Sequence, residues 1–127
     1  MAVRVFLALQ TLIWLPYGIV CFFVPEFPAN SAGLSATSAT ATTELRAMYG
    51  GLQLGIGILT GLAFARPPLR RPALILLLMA GTALGVARLV GAVIDGGFSA
   101  YTNGAIVFEL ATAGFAAWLL RRKESPA

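Results

Sequence analysis

Apolar residues run along this chain in four long blocks, at about 3–24, 45–65, 73–94 and 104–120, and polar residues collect between them. The blocks show neither the strict alternation of a half-buried strand nor the single apolar face of a helix on a soluble core. Each is apolar nearly all round, the pattern of a helix that has lipid as its solvent. At a rise of about 1.5 Å per residue, about 20 residues cross a hydrocarbon core of about 30 Å. The blocks end at Pro25-Glu26-Phe27-Pro28, Arg66-Pro67-Pro68, Asp95-Gly96-Gly97 and Arg121-Arg122-Lys123. The expected fold is therefore all-α: a single domain over 1–127, built as an integral membrane four-helix bundle. For the first block a cleaved signal peptide is the alternative, because Arg4 precedes it and Ala29-Asn30-Ser31-Ala32 follows. Signal cores run to only about 7–15 residues, whereas this block is longer and carries Trp14, Pro16 and Tyr17.

The connections differ in kind. Ala29 to Thr43 is rich in Ala, Ser and Thr and has no charge. It is expected to be an exposed loop, with Thr42 or Thr43 capping the second helix and Glu44 in the first turn, where the helix dipole favours an anion. Arg66 to Pro72 is a tight basic turn. Tyr101, Thr102 and Asn103 fall in a short loop before the fourth helix.

Composition agrees with a membrane solvent. Of 127 residues 58% are hydrophobic and 11% charged, with a mean hydropathy of +0.84, and a soluble domain this small needs more polar surface than that. The net charge of +4 and the isoelectric point of about 10.0 do not indicate nucleic acid. The basic residues flank apolar blocks instead of forming a patch interleaved with aromatics, so anionic lipid headgroups are the expected partners. Arg4, the trio Arg66, Arg70 and Arg71, and the cluster Arg121, Arg122 and Lys123 all fall on one side of a four-span chain. Glu26, Glu44 and Asp95 fall on the other. The positive-inside rule then places both termini in the cytoplasm. There is no histidine, and the single cysteine, Cys21, lies within an apolar block. Imidazole chemistry and an intrachain disulfide are excluded, and no metal or cofactor site is expected.

Polar side chains inside an apolar span cost several kcal/mol when unpaired, so each is a candidate site residue. In the third block Gly81, Gly85, Arg88, Ala92 and Asp95 share one face. Gly81 and Gly85 form a small-xxx-small pair that lets another helix approach. The fourth carries Thr102, Ala105, Glu109, Ala113 and Ala116, the second Arg46, Tyr49, Gly50, Gln53 and Gly57, and the first Gln10, Trp14, Tyr17 and Cys21. Counted from the outer helix ends, Arg88 and Glu109 lie roughly 9 and 8 Å down, and Tyr17, Tyr49 and Gln53 roughly 6–12 Å. Arg88 and Glu109 are the natural pair, and on adjacent antiparallel helices they can meet bidentately. Asp95 shares the face of Arg88 but is about 10 Å away along the helix. Such a pair with Tyr and Gln neighbours serves either to fix one packing of the bundle or to hold a ligand.

The run Glu44-Leu45-Arg46-Ala47-Met48-Tyr49-Gly50-Gly51-Leu52-Gln53-Leu54-Gly55-Ile56-Gly57 resembles the opening of the second helix in a bacterial four-helix membrane family, domain of unknown function 4345. Arg88 followed by Asp95-Gly96, and Glu109, match the later positions of that family, and the resemblance covers nearly the whole chain. The first outer loop departs from it. Membership implies the fold and these positions, but no reaction; the expected location is the bacterial cytoplasmic (inner) membrane, crossed several times.

Three functions fit these residues. The first is binding of a lipid or a small hydrophobic or anionic molecule toward the outer leaflet, through Arg46, Arg88, Glu109, Tyr17, Tyr49, Gln53 and Asp95. The second is a structural or accessory subunit, in a homo-oligomer or with a membrane partner, because Gly51/Gly55 and Gly57/Gly61 stand at helix-contact spacing. The third is a small proton-coupled transporter, disfavoured because Arg88 facing Glu109 holds the carboxylate ionised. Catalysis stays open: Glu109, Asp95 and the tyrosines are acid–base groups, but no nucleophile–base pair or phosphate loop accompanies them.

Overall fold

The computed structural model describes residues 1–122, and all of its regular structure is helical. Lys123, expected to close the basic cluster after the fourth helix, lies outside the described residues. In chain order, α1 is Ala2–Phe23, α2 Glu26–Ala32, α3 Ala39–Leu45, α4 Leu52–Ala65, α5 Arg70–Asp95 and α6 Ala100–Arg121. A π-helical turn, Arg46–Gly51, carries α3 into α4, and a 3-10 turn, Pro67–Leu69, leads into α5. Four stretches are long and apolar enough to cross a membrane: Ala2–Phe23, Ala39–Ala65, Pro67–Asp95 and Ala100–Arg121. The chain divides into two compact units, Met1–Arg70 and Arg71–Ala127.

The first unit is an antiparallel hairpin of α1 against the π turn and α4. Lipid-soluble helices gain little from burying more apolar surface, so close backbone approach is what holds them, and glycine supplies it here. A Cβ built on Gly57 would stand 2.7 Å from Leu15 N, and one on Gly50 would stand 2.8 Å from Phe22 Cα. Gly18 meets the Leu54 backbone at 2.7 Å in the same sense, and Gly61 meets Thr11 Cγ2 at 3.3 Å. Thr11, Thr60 and Trp14 in this seam find partners within the chain, as an apolar surround favours. The Thr11 hydroxyl lies 3.0 Å from that of Thr60 and 2.8 Å from Leu7 O. Thr60 lies 3.0 Å from both Ile56 O and Gly57 O, and Trp14 Nε1 donates to Gln10 Oε1 at 2.8 Å.

The second unit pairs α5 with α6. Gly81 would clash at Cβ with Glu109 O, at 2.7 Å, and Gly85 with Leu110 Cδ2, at 2.6 Å. Ala113 and Ala116 of α6 and Ala92 of α5 are buried, while Met79, Val93 and Val107 are exposed. Small residues inside and large apolar ones outside suit a helix facing lipid. At the far end of α6, Trp118 stacks on Phe115, and the Arg122 guanidinium lies 3.8 Å from the Trp118 ring centre. An amphipathic aromatic beside a cation is what a membrane–water boundary favours.

Two segments depart from expectation. The stretch 29–43 is not one exposed loop: α2 occupies its start and α3 its end. Gly33, at φ 70°, closes α2, with Leu34 N donating to Ala29 O at 2.8 Å. Ser38, not Thr42 or Thr43, caps α3, its Oγ accepting from Ala41 N at 3.1 Å. The two threonines bond back instead to Ser38 O and Ala39 O. Likewise α6 starts at Ala100 rather than 104, because the Ser99 Oγ accepts from Thr102 N at 3.0 Å. Tyr101, Thr102 and Asn103 are therefore in its first turn. Glu109 consequently lies about 14 Å along its helix, not about 8 Å.

Candidate functional site

In the second hairpin, Gly81 and Gly85 bring the α6 backbone close enough for Arg88 to reach across. Its Nε donates to Glu109 Oε2 at 3.1 Å and its Nη2 to Glu109 Oε1 at 2.7 Å. The contact is the bidentate fork expected from the sequence, the strongest geometry available to this pair. Among the described residues it is the one salt bridge. Glu109 is 6% exposed and Arg88 29%, so the carboxylate is sealed beneath the guanidinium. The guanidinium carbon also lies 6.0 Å from the centre of the Tyr101 ring, within cation–π range. Asp95, the third candidate on this hairpin, stands exposed at the end of α5 and does not join the pair.

The first hairpin holds Tyr17, Arg46, Tyr49 and Gln53. Arg46 is not at a helix boundary. It opens the π turn within a helix that began at Ala39, and its Nη1 donates to Phe22 O with the guanidinium 5.9 Å from the Phe22 ring. Phe22 O is among the last carbonyls of α1, which have no partner in their own helix. A cation there also meets the negative end of the dipole. Arg46 thus clamps the end of α1. Tyr17 packs edge-on to Phe27 at 6.3 Å between centroids. Tyr49 is half-buried in the π turn. Gln53 Oε1 is buried without a hydrogen-bond partner.

The π turn was not anticipated. Leu52 N–H reaches Ala47 O, five residues back, and the inserted residue falls within the family-like motif. Gly50-Gly51 in the middle of an apolar helix is the signal that points to it, since wide turns favour residues without side-chain crowding. The Thr11–Thr60 contact also went unseen, because a threonine pair at long sequence separation has no local signature. No group of three His, Cys, Asp or Glu that could hold a metal occurs among the described residues.

An all-α chain with four helices long and apolar enough to cross a membrane, carrying one bidentate ion pair among its described residues, is the class that fold and site define. More narrowly, the chain belongs to the family described as Domain of unknown function (DUF4345), whose model matches residues 2–120. No curated protein and no solved structure matches it.

Proposed function

We propose that this is a multi-pass protein of the bacterial cytoplasmic membrane, with both termini in the cytoplasm, that binds a polar lipid or small anionic molecule at Arg88. The observation that carries the proposal is the asymmetry of the ion pair: Glu109 is 6% exposed, and Arg88 keeps 29% of its side chain exposed. The surface offered is thus guanidinium, not carboxylate. Glu109 takes the Nε and Nη2 of the planar guanidinium. Paired, it needs no separate counterion in an apolar surround, and the 29% of its side chain that stays exposed is a planar cation of the kind that recognises a phosphate, carboxylate or carbonyl oxygen. Glu109 orients Arg88, and Tyr101 flanks it. The binding role rests on the second hairpin; Arg46 is a helix-end clamp. In native mass spectrometry of protein released from nanodiscs, one small molecule per chain should be retained and lost in Arg88→Leu. Empty wild-type protein would end the proposal.

A second function is favoured by Gly55, where a Cβ would meet nothing within 4 Å, and by Gly51, where it would meet only Arg46 O of its own turn at 3.9 Å. Those positions suit close approach by another membrane helix, from a second copy or an accessory partner. Gly55→Leu should then abolish a crosslinked oligomer while leaving helicity unchanged; a strictly monomeric wild type would contradict it.

A further inference from the structure

The first hairpin has a second feature at its opposite end, remote from Phe22 and Arg46. Where the start of α1 meets the end of α4, Met1, Arg4, Val5, Ala8, Leu9 and Phe64 line an open groove of about 540 Å³. That volume is within the range of small-molecule sites. Its walls are apolar except for Arg4, whose guanidinium stands 4.8 Å from the centre of the Phe64 ring. Arg66 and Arg70 lie at the same end, where α4 closes, and Arg70 Nε is a buried donor without a hydrogen-bond partner. The acids of this hairpin, Glu26 and Glu44, are at the other end. Within this hairpin the groove therefore opens at a basic rim, with both acids at the opposite end.

We infer that this groove seats one anionic phospholipid of the cytoplasmic leaflet, its phosphate against Arg4 and the upper part of one acyl chain between Val5, Ala8, Leu9 and Phe64. Charge complementarity selects the occupant. A basic rim above an apolar trough matches a negative headgroup above a hydrocarbon chain, whereas a second copy of this end would bring like charges together. Arg4 is suited to the headgroup because its guanidinium is held over the Phe64 ring while the residue stays exposed, where a guanidinium recognises phosphate oxygens. This site rests on the membrane setting proposed above, but not on ligand binding at Arg88.

The test uses the full chain in nanodiscs of phosphatidylcholine doped with phosphatidylglycerol, with retained lipid counted by native mass spectrometry. Wild type should retain one phosphatidylglycerol in preference to phosphatidylcholine. Arg4→Gln should lower that preference about five-fold, the effect of one basic residue near an anionic membrane surface. Ala8→Trp, which fills the trough and leaves Arg4 in place, should lower retention as well. If Ala8→Trp loses helicity by circular dichroism, the pair Val5→Ala and Leu9→Ala, which removes the walls, replaces it. Arg88→Leu combined with Glu109→Leu should leave this lipid in place, which separates the two sites. Equal retention of both lipids by wild type would overturn the inference. So would an unchanged preference in Arg4→Gln, or loss in Arg4→Gln without loss in the trough variants, which would mean diffuse headgroup attraction. A dimer that occupies the groove in place of lipid would overturn it too.

Discussion

At Arg88 and Glu109 two charges sit in otherwise apolar helices, and each is tolerated because of the other. Removing one partner leaves an uncompensated charge, which for a buried pair costs about 3–5 kcal/mol. Arg88→Leu and Glu109→Leu singly should therefore each lower stability in a detergent unfolding titration by about that much. The double variant should recover most of the loss, because apolar residues of similar size replace a buried pair at little cost. Arg46→Ala removes a charged donor from Phe22 O, a loss of about 1–3 kcal/mol. It should appear as faster amide hydrogen exchange at the end of α1. The ion pair was legible in the sequence because an arginine and a glutamate on adjacent spans have few other ways to be satisfied. The role of Arg46 was not legible. Its partner is a backbone carbonyl at the end of a different helix, and no residue type marks that position. The unpartnered Oε1 of Gln53 was equally invisible, since only coordinates show which polar atoms find neighbours.

Among the helices, glycine position decides which contacts are tight. Gly57 and Gly81 each face backbone that a Cβ would meet at 2.7 Å, and neither neighbour is a flexible side-chain tip. Gly57→Ala and Gly81→Ala should each destabilise by about 1–3 kcal/mol through overpacking. Gly55→Ala and Gly91→Ala, where nothing lies within 4 Å, should match wild type or exceed it, since alanine favours the helix. A thermal series on the four variants checks this directly. Spacing alone identified the Gly81/Gly85 contact, but it gave Gly57/Gly61 and Gly51/Gly55 equally to a partner helix, whereas Gly57 and Gly61 face Leu15 and Thr11 of α1. A periodicity names a face without naming what covers it. The stretch 29–43 was misread for a related reason. Ala, Ser and Thr without charges fit a loop or a capped helix equally, and what decides is that Ser38 accepts from Ala41 N and Gly33 adopts a left-handed turn. Ser38→Ala should therefore cost about 1 kcal/mol.

For the molecule as a whole, the basic residues that flank the apolar blocks fall on one side of a four-span chain, Arg46 and Arg88 apart, and that gives a topology that can be labelled. In a Cys21→Ala background, Ser35→Cys and Gly97→Cys should react with a membrane-impermeant maleimide on intact cells, and Pro68→Cys only after permeabilisation. The four helices long and apolar enough to cross a membrane follow from block length, and the orientation proposed for them from basic flanks, quantities that a sequence states outright. What such a chain binds does not follow, because Arg88 becomes a guanidinium edge above a sealed carboxylate only once α6 has closed on Gly81 and Gly85. The central claim is that this edge holds a ligand and does not merely lock two helices. Native mass spectrometry of wild type and the Arg88→Leu, Glu109→Leu double variant, each released from nanodiscs and shown to be folded, tests it most directly. The account predicts that each wild-type chain retains one small molecule more than the folded double variant, which keeps only the lipid of the α1/α4 groove. Identical occupancy in the two proteins, or none in either, would contradict it.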